Sequence, residues 1–437
     1  MKKTIVLIGA GSASFGSGTI GDIFKSKALA GSHIVLHDIN PDTLQNVESI
    51  AQKRVKEKEL PFSISATTDR KKALQGADFC ISSIEIGNRF ELWEQDWQMP
   101  LLRGFHQIYG ENGGPGGLFH SLRIIPPILE ICEDINAICP DAYVFNFSNP
   151  MTRITLAIKR KFPELKAVGL CHEIASLPDH LPKILDTPLS NLSFTAGGLN
   201  HFSVLLEARY KDSGADAYPD IRAKAPAYFE NATSSSSFFS NDPPPRPWAG
   251  RRMFMEILDK FGYLPITEDS HFGEYIQWAY GLADHKDIHD FYQRYKAWSF
   301  EGVSEMRIEG SDEGTWQLIP IIEGILSDSG YTELAVNIMN NGCIDNLPRD
   351  MVVEIPATVD KNGVHGVKLG ALPKGIAGLL NNQVAAIDLA VEAALTGSRE
   401  IALQALLVDP IVTSLSGAEK LLDDMLELQK PYLGYIV

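Results

Sequence analysis

Ile5-Val6-Leu7-Ile8-Gly9-Ala10-Gly11-Ser12-Ala13-Ser14-Phe15-Gly16 is an apolar run that breaks into glycines and then into a helix-like segment. Its reading as strand, tight turn and helix decides the fold. Gly9 and Gly11 let the backbone turn sharply and come close to a pyrophosphate, whose charge meets the free N–H groups and positive dipole end of the following helix. A dinucleotide suits such a turn. The third small position is Ser14, and the next glycine, Gly16, comes two residues late for the usual fingerprint. An ordinary glycine turn in an α/β unit is the competing reading.

The second apolar run, His33-Ile34-Val35-Leu36-His37-Asp38, argues for the dinucleotide. It ends in an acid at the distance where a carboxylate holds the ribose hydroxyls, and Asp38 favours NAD over NADP. Further runs at Phe62–Ala66, Ala77–Ile84, Ala142–Phe147 and Ala167–Leu170 read as strands, several of them covered on both faces as in a parallel sheet. Ligands bind outside the carboxyl ends of such strands, which makes Gly9, Gly11, Ser12, Phe15, Asp38 and Ser83 the expected cofactor contacts. Asn149, before Pro150, sits at another strand end.

The rest of the chain is long enough for a second domain. Of 437 residues, 44% are hydrophobic, which gives substantial cores. The fold class is α/β: a Rossmann-like dinucleotide-binding domain with a parallel sheet over residues 1–196, and a mixed α+β catalytic domain over 197–437. No run has the length of a transmembrane helix and Met1-Lys2-Lys3 leads into a core strand, so the expected location is cytoplasmic. The net charge of −16 disfavours nucleic acid and anionic membrane as partners and leaves a small molecule. Five cysteines lie without paired spacing, which excludes a disulfide framework as the organising device but not a single functional thiolate.

Several stretches carry chemistry. Tyr109-Gly110-Glu111-Asn112-Gly113-Gly114-Pro115-Gly116-Gly117 packs glycines around one acid, so that either Glu111 approaches a ligand closely or the segment is a surface turn. Cys171-His172-Glu173 follows a short strand, and Gly198-Leu199-Asn200-His201-Phe202 comes about thirty residues later. Cys171 and His201 suit one divalent metal through sulfur and imidazole, in an open site completed by substrate and water. A buried thiol and a core histidine are the alternative. Between Ala225 and Gly250 a Ser- and Pro-rich stretch reads as a long loop, a possible lid; after it come Arg251 and Arg252, which with Arg246 would suit an anionic group. Glu268, Asp269, His271 and Glu274 lie close enough in sequence for proton transfer. Glu354 is the odd acid in the strand Val352–Val359, and Ser416 with Glu419 predicts a capping box for the last helix.

Taken together, the Gly9-Ala10-Gly11-Ser12 opening, Gly113-Gly114-Pro115-Gly116-Gly117, Asn149-Pro150, Cys171-His172-Glu173, Gly198-Leu199-Asn200-His201-Phe202, Val353-Glu354-Ile355-Pro356 and Leu372-Pro373-Lys374 resemble glycoside hydrolase family 4 over nearly the whole chain. The resemblance implies NAD and a divalent metal, usually Mn²⁺, held by Cys171 and His201. It implies that C3 of the sugar is oxidised, the C2 proton removed, the aglycone eliminated, water added and the hydride returned. Asp269 stands where the family places a base, His172 or Glu111 is the implied acid, and Glu111, His172 and Asn149 are the implied substrate contacts. Cys171-His172-Glu173 resembles the α-glucosidase and α-galacturonidase branch, so the implied substrate is an unphosphorylated α-glycoside, neutral or uronic. A homodimer or homotetramer suits the family. The competing function is a plain NAD-dependent dehydrogenase of the malate or lactate type, which shares the N-terminal architecture but not the Cys171 and His201 pair.

Overall fold

The computed structural model describes residues 2–12, 15–231, 251–283, 285, 288–302, 308 and 317–437. The opening motif folds as read. Strand β1 (Thr4–Ile8) runs into the glycine turn and then into the helix Phe15–Lys25. Gly9 has φ +84°, and a side chain there would drive a Cβ to 2.2 Å from the carbonyl oxygen of Ser83. Gly16, out of step with the usual fingerprint, nevertheless serves close packing, because a Cβ on it would lie 2.3 Å from the carbonyl oxygen of Ala10.

Strands β2 (His33–His37), β3 (Ser63–Thr67), β4 (Phe79–Ser82), β5 (Tyr143–Asn146) and β6 (Lys166–Gly169) pair parallel with β1 and with each other. Their order, β3-β2-β1-β4-β5-β6, is that of a doubly wound dinucleotide fold, with the strand order reversing between β1 and β4. Asn40 starts the helix Pro41–Glu57 by accepting the N–H groups of Asp42 and Thr43 on its side chain. The glycine-rich segment is the first turn of the helix Gly114–Ile138, which is buried along most of its length. The fold is α/β.

The sheet does not stop at β6. It continues through β9 (Tyr331–Met339), β10 (Val352–Asp360), β7 (Leu192–Leu199) and β8 (Phe202–Tyr210), with β11 (Gly363–Gly366) beside β10. These added strands are antiparallel, and Gly169 in β6 pairs with Asn337 in β9. Residue 196, where the sequence suggests a division, lies inside β7. The structure therefore runs one sheet through both halves.

Two local expectations change. Ser414, not Ser416, caps the helix Leu415–Leu428, because the extended backbone at Ser414 (φ −144°, ψ 123°) aims its side chain at the N–H of Gly417. Residues 225–231, expected as loop, close the helix Tyr218–Asn231; 232–250, with Arg246, lie outside the described residues. Among the described residues no helix is long and apolar enough to cross a membrane.

Candidate active site

Strand β6 delivers Cys171, and the two-residue turn between β7 and β8 delivers His201. Because β9, β10 and β7 extend the sheet beside β6, both reach the same end of it. The Cys171 Sγ lies 3.4 Å from His201 Nε2. His201 has φ +60°, a conformation that side chains other than glycine rarely adopt and that a tight turn can impose. Ligand atoms of Cys171, Glu173 and His201 all lie within 4.8 Å of one another, a sulfur, carboxylate and imidazole set that fits a divalent transition metal. Ligand atoms of His201, His271 and Glu274 likewise lie within 4.8 Å of one another.

Buried electrostatics suit a cation here. Burial pushes the Cys171 thiol well up, and the carboxylates of Glu173 and Glu354 push the same way. Burial holds His201 well below its ordinary value, helped by His271 and His172, so the imidazole is neutral as a ligand requires. Glu173 is also raised well above the carboxylate range, by burial and then by Glu354. Of the two acids Glu354 has more donors: Asn200 Nδ2 at 2.8 Å, Asn337 Nδ2 at 2.9 Å and Ser203 Oγ at 3.3 Å. Glu173, with fewer donors, is therefore the more strongly raised of the two, and its Oε1 accepts the N–H of His201 and Asn200 Nδ2. Glu354 thus acts on the site by holding the turn that presents His201.

The loop before the helix Gly114–Ile138 forms the opposite wall. Asn112 Nδ2 lies 3.2 Å from His201 Nδ1 and 3.3 Å from Glu111 Oε2. Glu111 is buried, with its Oε1 2.7 Å from Arg89 Nη2. The carboxylate of Glu274 accepts the N–H groups of Glu111, Asn112 and Gly113 on one oxygen. Its other oxygen lies 3.4 Å from His271 Nδ1, and the His271 ring sits edge-on to His201 with centroids 4.3 Å apart. Burial works against protonation of His271, but Glu274, joined by Glu111 and Glu268, outweighs it and raises the imidazole above its ordinary value. A small cavity lined by Asn112, Arg153, Asn200 and Tyr275 lies behind this wall.

The glycine turn after β1 lies at the same, carboxyl-terminal edge of the parallel strands as Cys171 after β6. Asp38 accepts the Gly11 N–H at 2.8 Å, which ties the acid after β2 to the glycine turn. The turn, the Cβ-free approach at Gly9 and the N-terminus of the helix Phe15–Lys25 together fit a dinucleotide. Ser83 donates its N–H to Ile8, and Ile84 is clamped by Ser148 Oγ. Ser12 lies in the turn; the Phe15 side chain is outside the described residues.

Other expected residues are more dispersed. Asn149 Oδ1 is buried without a protein partner, as suits a substrate contact. His172 is exposed beside Cys171. Asp269 is buried, and its two oxygens accept the N–H groups of Met253 and Phe254 at the start of the helix Arg252–Phe261. Arg251, expected as an anion contact, is buried between Phe229 and Phe254 with its Nη1 on the carbonyl of Thr267, while Arg252 is exposed. The sequence reading missed Asn112, Asn200 and Arg89 as individual site residues. It grouped His271 and Glu274 only by their density, although both Asn200 and Asn112 stand inside motifs it singled out.

Comparison with known proteins gives the family. Residues 4–187 match the family model described as family 4 glycosyl hydrolase, and residues 196–412 match that of the family 4 glycosyl hydrolase C-terminal domain. The chain is 53% identical to an α-glucosidase of Erwinia rhapontici, with 100% of both chains covered. It is similar to the crystal structure of lplD from Bacillus subtilis at a TM-score of 0.84 and 26% identity, covering 97% of this chain and 99% of that one. It shares its fold, at a TM-score of 0.81, 22% identity and 98% coverage of each chain, with a 6-phospho-α-glucosidase from gut microorganisms solved with NAD and Mn²⁺.

Proposed function

The chain belongs to the family 4 glycosyl hydrolases and is a glycosidase, and from that premise we propose that it hydrolyses an unphosphorylated α-glucoside with NAD and a divalent metal, Mn²⁺ by likeness to its relatives. The buried Cys171 and His201 pair, set at the end of the sheet that carries the glycine turn, is the observation that carries this reading. A dehydrogenase of the malate or lactate type has no use for that pair, and the family match excludes it.

When bound, these groups supply a reversible hydride acceptor for C3 and Lewis acidity at the sugar hydroxyls, which together make the C2 proton acidic enough for loss of the aglycone and addition of water. Cys171, His201 and Glu173 would hold the metal. Gly9, Gly11, Ser12 and Asp38 would hold the dinucleotide, with Ser83 beside it. Asn149 offers its unpartnered oxygen to a sugar hydroxyl. His172, exposed beside Cys171, is our candidate for protonating the leaving oxygen, and Glu111 is the second candidate. Asp269 is the candidate base for the C2 proton, and Asp269→Asn tests it directly. A cytoplasmic homodimer or homotetramer is the proposed setting.

The test is release of p-nitrophenol from α-glucoside, α-galactoside and α-galacturonide substrates with NAD⁺ and Mn²⁺ added or omitted, followed by the same assay on substrate deuterated at C2. We expect cleavage of the α-glucoside only with both additions, slowed by the deuterium. Cleavage without NAD⁺, or no isotope effect together with a solvent-exchange-inert C2, overturns the redox-elimination reading.

A further inference from the structure

Arg89, the first residue of the helix Arg89–Leu102, lies between Glu85, on the loop beyond Ser83, and Glu111, whose neighbour Asn112 meets His201. It is the cation a charged substrate would seek, yet its charge is already committed. Its Nη2 lies 2.7 Å from Glu111 Oε1 and its Nε 3.9 Å from Glu85 Oε1. The hydroxyls of Tyr292 and Tyr295 each lie 3.5 Å from a guanidinium nitrogen, and the Tyr295 ring is 5.3 Å away. Two carboxylates thus surround one guanidinium, and the group as a whole is negative.

Glu85 is the member that faces outward. It lies on the loop after β4, whose backbone meets the glycine turn at Ser83 and Gly9, and its side chain is 29% exposed against 6% for Glu111. Its second oxygen is 3.6 Å from His120 Nε2. Burial opposes its charge, but Arg89 and then His120 bring its carboxyl down to about 2, so it is ionised whenever the enzyme works. The other arginines near the site are withdrawn from solvent: Arg251, 2% exposed, packs between two phenylalanines with its Nη1 on Thr267, and Arg153, 1% exposed, has Nη1 on Ser121 Oγ.

We propose that Glu85 is a specificity-determining residue, which occupies Arg89 and so restricts the site to uncharged glycosides. An anionic sugar, a uronide or a phosphorylated one, would meet a fixed carboxylate and an Arg89 already paired with two acids, and like charges brought together in a desolvated site are strongly disfavoured. The inference rests on the glycosidase reading above. It adds that the choice between neutral and acidic sugar is made at this residue.

The test compares wild type, Glu85→Gln and Glu85→Asp on p-nitrophenyl α-glucoside and α-glucuronide with NAD⁺ and Mn²⁺. In the wild type we expect kcat/KM for the glucoside to exceed that for the glucuronide. Glu85→Gln narrows that ratio by roughly tenfold or more, chiefly through KM for the glucuronide, while Glu85→Asp, which keeps the charge, preserves it. An unchanged ratio in Glu85→Gln overturns the inference and leaves the glycosidase standing. A wild type that prefers the glucuronide does the same. Absence of cleavage of either sugar by the wild type overturns the glycosidase reading itself and takes the inference with it. A measurement that needs no variant runs beside these: glucose is expected to inhibit the wild type more strongly than glucuronate, and equal inhibition counts against the role of Glu85.

Discussion

Glu274 accepts the backbone N–H of Asn112 at 2.8 Å across a sequence separation of 162 residues. The same oxygen takes the N–H groups of Glu111 and Gly113, each at 2.9 Å, so one carboxylate fills the ring of amides that opens the helix Gly114–Ile138. Charge-assisted bonds of this kind are about twice as strong as neutral ones, and a helix N-terminus favours an anion. The loop they fix carries Asn112, whose amide nitrogen lies 3.2 Å from His201 Nδ1. Glu274 therefore positions a metal ligand it does not itself need to touch.

Glu274→Gln keeps the shape and loses the charge. The expected result is a rise of about 10–100-fold in the Mn²⁺ concentration needed for half-maximal activity, with little change in NAD binding followed by fluorescence. If both affinities fall together, Glu274 is holding up the whole fold rather than His201.

Cys171→Ser should leave a protein that binds NAD but loses activity by roughly a hundredfold or more, since a hydroxyl is a poor substitute for thiolate on a divalent ion. Chelation of the wild type should silence it, and Mn²⁺ should restore it. Full turnover of Cys171→Ser at saturating Mn²⁺ removes Cys171 from the ligand set.

How much of this could be read from the chain follows from the range of each interaction. The run Ile5–Ile8 and its glycines announce β1 and the turn because the signal is local. Cys171 and His201 could be named because each stands beside its own short motif. Glu274 could be noticed but not interpreted, since its partners are backbone amides, which have no sequence signature. The entry of β9 and β10 into the same sheet as β6 was likewise hidden: it depends on the Gly169 and Asn337 register, which no local pattern encodes. The shift of the cap from Ser416 to Ser414 turns on backbone angles that two nearby serines allow equally well. Asp269 was expected as a base from the family resemblance of its segment, and only the fold shows its oxygens directed at the helix Arg252–Phe261.

Away from the site, Asp96 and Arg123 form a buried pair at 2.6 Å, joined by Gln429, whose amide nitrogen lies 2.8 Å from Asp96 and whose oxygen accepts from Arg123. Removing one charge strands the other in the interior, which costs about 3–5 kcal/mol. Asp96→Ala should lower the urea midpoint and Tm sharply. Exchanging Asp96 and Arg123 together for apolar residues of similar volume should recover most of the loss, and if the double variant is no better than the single one, the pair is not the source of the effect.

Glu333 in β9 sets a pH dependence of stability. It is 2% exposed, its oxygens accept from Leu334 N at 2.9 Å and the Tyr331 hydroxyl at 3.0 Å, and burial raises its carboxyl to about 7. The folded chain thus holds a proton that the unfolded chain has released, whose glutamate titrates near 4.3. Stability from this group is complete below about pH 4 and is lost as pH rises to about 7; the total is roughly 3 kcal/mol from a shift of between two and three units. Glu333→Gln cannot ionise, so its unfolding free energy should fall less than that of the wild type between pH 5 and pH 8, with the curves converging at the acid end. Urea titrations at pH 5, 6, 7 and 8 measure the gap directly. Parallel curves for the two proteins would mean that Glu333 stays charged in the folded chain, held so by its two donors against the cost of burial.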